Sequence, residues 1–554
     1  MNSRRPSIWL QSWHPYFILL AIIALAYGRT LSYGFTYFDD DTLILNQYQA
    51  LRRLSIFWDA FHVRFLEVYF RPIVTLSLAL DTYIGGPDAW IYHCSNIVFH
   101  VIACWLMFYL LQRLSVSRFF AFAASILFAV HPIVTQAVAW IPGRNDSLVT
   151  IFLMLALLAY MNFDSSGKWY WFVLQMGFAA VALLTKETAL IYPGMILLYH
   201  VVLSHNVRNL RNIAGCVAAW IVLAGMWYFF RPSGIPGHIE RANIVSIAAS
   251  ATNLRTLPEA FGKFLVPLQM SPYPTYQILP SVVGGIALVG LAWFIIAFRD
   301  REQRIRIFAV GWILLFLLPG LFVHLGDSER WFDYLESRWY GAAIGFALLG
   351  ISFLSDQRLF FFPLRNKILA IGLLGFGVLT FAYTSNFSDP ITHWSRAIES
   401  SPQASNAYFK MGFAVNSIKQ NPFEAAIWYQ RAIRLDPNVS TYHNNLGALY
   451  SQEGNRERAI EEYRIATRLD SSNLMAFANL GDNEWMNGNY DAAEMNWKQI
   501  FSTDSTFPAI EVRLAEFYVF QKRFPEARYH IARLQARGIT LTTPLLEFVA
   551  KDEK

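Results

Sequence analysis

Between Phe128 and Asp146 the sequence reads F-A-V-H-P-I-V-T-Q-A-V-A-W-I-P-G-R-N-D, which sets His131, Arg144 and Asp146 beside apolar segments long enough to cross a bilayer. Ionisable groups are costly at that depth, so a chain that keeps them marks a candidate site. The triplet Asp39-Asp40-Asp41, the run Tyr69-Phe70-Arg71-Pro72 and the pair Lys186-Glu187 stand at the ends of neighbouring apolar segments and join the candidates. A carboxylate at the membrane surface can take the proton of an incoming hydroxyl or amide while a lipid phosphate leaves. Arg71, Arg144, Lys186, Arg231 and Arg338 are the natural complement, because cations stabilise the charge that develops on a departing phosphate. Any one of them could instead snorkel to ordinary headgroups, an explanation that weakens for five together.

The same residues carry plainer readings. An acidic triplet also caps helices or hydrates a loop, and oxygen ligands from several loops could hold a divalent cation. Glu187 beside Lys186 is the usual arrangement for neutralising a lysine inside a membrane protein. His93 and His100 lie seven residues apart on one helical face without a third ligand, so no metal site is expected; His100 reads as a hydrogen-bonded structural group, and His93 and His131 as residues shaping the site. The sequence contains no P-loop, G-x-S-x-G or H-E-x-x-H motif, which argues against cytoplasmic nucleotide chemistry. Cys94, Cys104 and Cys216 lie in or beside apolar segments as small buried residues.

The elements that must position these groups are transmembrane helices. Of 554 residues 55% are hydrophobic and 15% charged, with 18 Trp and 45 Phe, a composition outside the soluble range. About eleven spans are expected, near residues 14–32, 91–111, 119–138, 147–162, 169–185, 188–203, 212–230, 281–298, 307–323, 340–355 and 367–384. The start, M-N-S-R-R-P-S, looks like a signal peptide's basic region but lacks a small-x-small cleavage site, so the first apolar run reads as a span. With a cytoplasmic N-terminus, alternate loops carry Arg113 and Arg118, Lys168, Arg208 and Arg211, Arg299 to Arg306, and Arg358 to Lys367, which obeys the positive-inside rule. The net charge of +6 is thereby a topology signal, and no nucleic-acid partner is expected. The loops 33–90, 231–280 and 324–339, the turn after His131 and Lys186-Glu187 then share the opposite, extracytoplasmic side.

Near Pro390 the apolar runs give way to amphipathic, charged helical pattern. Gly412, Gly447 and Gly481 are spaced by 35 and 34 residues; Tyr429, Tyr463 and Trp497 by 34; Ala425, Ala459, Ala493 and Ala527 by 34. One period shared by three residue classes is that of the tetratricopeptide repeat, in which small residues let paired helices approach and the aromatic fills the gap between neighbouring repeats. The reading is therefore all-α: a polytopic bundle over 1–388, then a solenoid of about four repeats over 389–554 whose concave face takes a protein or peptide, a rigid lid or dimerisation element being the alternative.

The order of motifs resembles the transmembrane-and-tetratricopeptide O-mannosyltransferases and their bacterial relatives within the GT-C superfamily. The resemblance rests on Phe35, Asp39, Asp40 and Asn46; on Y-F-R-P-I; on Y-H-x-x-N-x-x-x-H; on the block from Phe128 to Asp146; on L-T-K-E; and on S-R-W-Y. It implies inverting transfer of a sugar from a polyprenyl-phosphate carrier to an extracytoplasmic acceptor, most simply a protein Ser or Thr hydroxyl. Asp39 or Asp40 would be the base, Arg144, Lys186, Arg338 and Arg71 would hold the donor phosphate, and Tyr69, His93, His131, Asp146 and Glu187 would shape the site, with no metal called for. The usual E-R of the family stands here as Glu336-Ser337-Arg338, with one residue inserted. Few cysteines and a short repeat array favour a bacterial inner membrane, with the repeats in the periplasm. An enzyme acting on envelope lipid or polysaccharide, and a scaffold without catalysis, are the competing expectations.

Overall fold

The computed structural model describes residues 12–62, 70–204, 210–231, 253–297, 303–321, 335–355, 362–503 and 508–552, all helix, turn or irregular chain without a strand. The chain divides into two compact units, Met1–Pro402 and Gln403–Lys554.

The first unit is a membrane bundle. Its helices are α1 (His14–Tyr27), α2 (Pro72–Gly85), α3 (Ala89–Arg113), α4 (Arg118–Val130), α5 (Thr135–Ala139), α6 (Arg144–Ser166), α7 (Trp169–Thr185) and α8 (Tyr192–Val202). They continue as α9 (Leu210–Phe230), α10 (Thr256–Leu265), α11 (Ile278–Ala297), α12 (Gln303–Leu321), α13 (Tyr340–Ser355), α14 (Phe362–Thr384) and α15 (Pro390–Ser400). Among the described residues, eight helices are long and apolar enough to cross a membrane, or nine if α4 and the segment Pro132–Ala139 form one bent span. A spanning helix satisfies its backbone groups internally, which hydrocarbon demands. The 55° bend has a local cause. His131 precedes Pro132, is driven out of the helical region to φ −78°, ψ 130°, and the proline offers no N–H to continue the ladder.

The expected spans at 169–185 and 188–203 fall short of a full crossing, and α2 is a third short apolar helix inside what reads in sequence as an outer loop. Close helix approach depends on small residues. At Gly345 in α13 an added Cβ would stand 2.8 Å from the Ala309 carbonyl oxygen of α12.

The second unit is four helical hairpins: α16 (Ser405–Ala414) with α17 (Pro422–Leu435), α18 (Ser440–Gln452) with α19 (Arg456–Leu469), α20 (Leu474–Met486) with α21 (Tyr490–Thr503), and α22 (Pro508–Phe520) with α23 (Phe524–Ala536). A last helix, α24 (Thr543–Asp552), packs on α22 through Leu545 and Phe548. The recurring glycines sit under the recurring aromatics of their own hairpins, so the paired helices approach closely, as the sequence spacing suggests. A Cβ at Gly412, Gly447 or Gly481 would meet Tyr429, Tyr463 or Trp497 at 2.7, 2.9 and 2.5 Å.

The compositional break near residue 389 is not the boundary of the compact units. α15 is amphipathic and soluble in composition, yet it belongs with the first unit, because His393 and Trp394 are fully buried there against Phe38, Tyr273 and Phe387.

Candidate functional site

The acidic triplet lies in a loop tied down at several points. Gly34 N–H donates to Ser388 O at 2.9 Å, His93 Nε2 donates to Gly34 O at 3.4 Å, and Trp140 Nε1 donates to Phe38 O at 2.7 Å. Asp40 turns inward and is fully buried. Its Oδ2 accepts from Thr36 N and Thr36 Oγ1, at 2.7 and 3.0 Å, and its Oδ1 accepts from Phe38 N and Asp41 N, each at 3.1 Å. Burial pushes its pKa up to about 7 against the bonds from Thr36, with the charges of Asp41 and Asp39 adding to the rise. Asp39 is half-buried and adopts φ +69°, next but one to Tyr37 at +56°. Left-handed backbone at two such residues costs roughly 1–3 kcal/mol each and persists only where the surroundings over-determine it. The triplet is therefore divided: Asp40 organises the loop, while Asp39 occupies the strained and less buried position.

The cations form a second group. Arg71, at the start of α2, pairs with Glu187 at 2.9 Å, and Lys186, between α7 and α8, pairs with Asp146 at 2.5 Å. Lys186 and Glu187 each take their ion-pair partner elsewhere, Lys186 from the first turn of α6 and Glu187 from the start of α2, while the Lys186 charge also acts on Glu187. Arg71 and Arg338 both stand close enough for their charges to act on Lys186. A cluster of neighbouring cations is an environment that suits an anion. Arg338 is held from behind: Glu336 accepts from Ser271 N at 3.1 Å and Tyr383 OH at 3.0 Å and faces Lys263 at 3.3 Å, while Ser337 N donates to Gln136 Oε1 at 2.9 Å. Lys263 also meets Glu259 at 3.2 Å, and all three charges are buried.

Leu43, Ile44, Val74, Leu78, Ile91, Tyr92 and Ile141 form one apolar cluster, so the aspartate loop and the helix that begins after Arg71 are fastened to a common support. Asn96 completes it by donating to the carbonyls of Val138 and Trp140, both at 3.1 Å. Gly143 is required in that turn, since a Cβ would meet the Gln136 carbonyl oxygen at 2.7 Å.

Two expected site residues lie elsewhere. Arg144 is fully buried, donates to Asp81 Oδ2 at 2.6 Å and to Tyr92 O at 2.9 Å, and presents no surface to a phosphate. His131 is also fully buried: its Nε2 donates to Phe264 O at 2.8 Å, its Nδ1 accepts from Ile133 N, and its ring stacks on Phe264. Both hold the scaffold. Tyr69 falls outside the described residues. Sequence reading missed Asp81, although a carboxylate within an apolar helical run was the available signal. Among the described residues no group of three or more His, Cys, Asp or Glu could hold a metal ion.

An apolar cavity of about 470 Å³ lies between α7 and α9, lined by Phe61, Phe70, Leu183, Leu184, Leu223 and Trp227 among others. Phe70 and Leu184 place its wall one and two residues from Arg71 and Lys186.

Residues 71–229 match the family described as dolichyl-phosphate-mannose-protein mannosyltransferase, and residues 440–473 match a tetratricopeptide repeat. Human protein O-mannosyl-transferase TMTC1 is 24% identical over 84% of this chain and 56% of its own length. Mouse protein O-mannosyl-transferase TMTC3 is 24% identical over 84% of this chain and 52% of its own. The Drosophila melanogaster protein O-mannosyl-transferase Tmtc1 is 34% identical over 31% of this chain and 21% of its own. The chain spans about half the length of the curated relatives it matches. A crystal structure of MamA covers 30% of this chain at 18% identity and a TM-score of 0.25, and one of yeast Tom70 covers 77% at 14% identity and a TM-score of 0.23. The chain joins a mannosyltransferase-like membrane segment to tetratricopeptide repeats, and its homologues are protein O-mannosyl-transferases of the transmembrane-and-tetratricopeptide type.

Proposed function

We propose that this chain is a multi-pass membrane glycosyltransferase that moves a sugar from a polyprenyl-phosphate carrier to a hydroxyl of an extracytoplasmic protein, with inversion at the anomeric carbon. The observation that carries the reading is Lys186 with the charges of Arg71 and Arg338 acting on it, beside an apolar cavity that suits an isoprenoid chain. The protein O-mannosyl-transferase activity for which the relatives are named supports the class. The basic alternate loops support an extracytoplasmic placement of the site and a periplasmic placement of the repeats.

In this mechanism Asp39 is the base and Asp40 its positioning residue. The acceptor hydroxyl loses its proton to the Asp39 carboxylate, its oxygen bonds to the anomeric carbon, and the bond from that carbon to the phosphate oxygen breaks with its electron pair. The lipid phosphate departs with added negative charge toward Lys186, Arg71 and Arg338. Residues Glu187 and Asp146 hold the first two cations in place, and His93 steadies the loop through Gly34. The repeats present the polypeptide acceptor. No metal enters this mechanism.

The test is transfer of radiolabelled sugar from a panel of synthetic polyprenyl-phosphate monosaccharides to an extracytoplasmic protein extract. Donor-specific labelling of protein, lost in a folded Asp39→Asn variant, supports the reading and names the sugar. Labelling of lipid or polysaccharide alone moves the acceptor away from protein, and no labelling with any donor overturns the enzyme.

A further inference from the structure

Phe38 stands in the chain directly between the two left-handed residues of the aspartate loop, Tyr37 and Asp39. It is 8% exposed and surrounded by four rings from three distant stretches of chain. Trp140 stacks on it at 4.8 Å, Trp394 meets it edge-on at 5.3 Å, and His393 and Tyr273 stand at 5.7 and 5.9 Å. Two of the four belong to α15. That helix is itself seated on the bundle by hydrogen bonds at both ends. Just before its start Ser388 O accepts from Gly34 N at 2.9 Å, and at its end Ser400 Oγ bonds Ser271 Oγ at 2.6 Å and Ser401 Oγ donates to Tyr273 O at 2.8 Å. Trp394 Nε1 is buried without a hydrogen-bond partner, so the indole is kept there for the shape of its ring and not for its N–H.

We propose that Trp394 is a positioning residue for the aspartate loop: by closing the cage around Phe38 it holds the strained turn that presents Asp39. The proposal rests on the reading of that loop as carrying the base. A turn with two left-handed residues relaxes unless its neighbours prevent it, and the cage is what prevents it. Loss of the indole opens one wall of the cage and lets Phe38 move. The carboxylate moves with it, and misplacement of a catalytic group by about 1 Å costs on the order of 100-fold in rate.

The experiment compares full-length wild type with Trp394→Leu, Trp394→Phe and Ser401→Ala in one membrane mimetic, by hydrogen exchange and by turnover. In the leucine variant, amides of residues 34–41, which include the protected Gly34, Thr36, Phe38 and Asp41 N–H groups, should exchange roughly tenfold faster, with residues 440–500 unaltered. Its kcat should fall about 10- to 100-fold while the donor KM stays within about twofold. The phenylalanine variant, which keeps a ring and sheds the unpaired N–H, should restore most of both. Ser401→Ala loosens α15 while keeping every ring of the cage, and should give an intermediate acceleration even if the leucine variant fails to fold. Unchanged exchange at 34–41 overturns the proposal, and so does unchanged kcat in a variant whose loop has loosened. If the wild type turns over no donor, the enzyme reading fails separately, and the exchange measurement decides by itself whether Trp394 holds the loop.

Discussion

Arg144 and Asp81 meet at 2.6 Å with both side chains buried, joining the N-terminus of α6 to the last turns of α2. Removing one partner leaves the other charged, buried and unpaired, a loss of about 3–5 kcal/mol, whereas replacing both by apolar groups is far milder. Arg144→Leu should therefore sharply reduce the yield of folded protein, and Arg144→Leu with Asp81→Leu should recover a large part of it. Size-exclusion profiles of the purified variants check this. Recovery of folded protein without a change in donor affinity would confirm Arg144 as scaffold.

Arg338 gives the opposite pattern. It is half-buried, and Arg338→Met should leave the fold intact and raise the donor KM about tenfold, the effect of roughly 1.4 kcal/mol of lost anion binding. Kinetics at varied donor concentration would show it. A fall in kcat at unchanged KM would place Arg338 at the leaving phosphate in the transition state alone.

Asp40 makes the fold pH-dependent in an unusual direction. Its pKa is raised by burial from 3.8 to about 7, so the native state binds the proton more tightly than the unfolded chain does. Its contribution to stability is complete below the unfolded value and is lost as pH rises through about 7. The apparent Tm should fall by about 3 °C between pH 5 and pH 8, and Asp40→Asn should flatten that dependence. Thermal unfolding across the pH series is the check.

His443 in the repeats behaves likewise for a different reason. Although burial lowers its pKa, Nδ1 contacts Glu462 at 2.7 Å and Nε2 donates to Pro437 O, and these partners outweigh burial and raise it from 6.5. The stabilisation is complete below 6.5 and fades as pH climbs through the raised value. Exchange rates in α18 and α19 should accelerate on that climb in the wild type and be insensitive to it in His443→Gln.

Gly447 tests the repeat packing. An alanine methyl would press on Tyr463 ring carbons at 2.9 and 3.0 Å, so Gly447→Ala should destabilise its hairpin by about 1–3 kcal/mol, and Gly447→Val by more. Limited proteolysis between α17 and α20 should report the difference while the membrane unit stays resistant.

The bundle and the solenoid were legible because both rest on local pattern. A run such as Ala89–Arg113 is apolar from end to end, and Gly447 with Tyr463 recurs at a fixed period. The aspartate loop and Arg71, Lys186 and Arg338 were legible as charges at span ends. What the sequence did not disclose is direction. Arg144 and Lys186 look alike as cations beside apolar runs, yet one turns to Asp81 inside the bundle and the other to Asp146 beside Arg71. That difference is set by where α2 packs, a long-range relation that spacing does not encode. The placement of α15 is the same kind of case. Its composition is that of a soluble helix, and only the fit of Trp394 against Phe38 assigns it to the membrane unit.

The cage around Phe38 also sets a timetable. The ribosome releases the aspartates soon after the first span, but Trp140, Tyr273 and finally Trp394 follow in that order, the last only after α14 has been made. The turn that carries Asp39 is thus synthesised early and its cage completed late, so a partly synthesised chain lacks the ring of Trp394 that packs on Phe38 in the finished bundle.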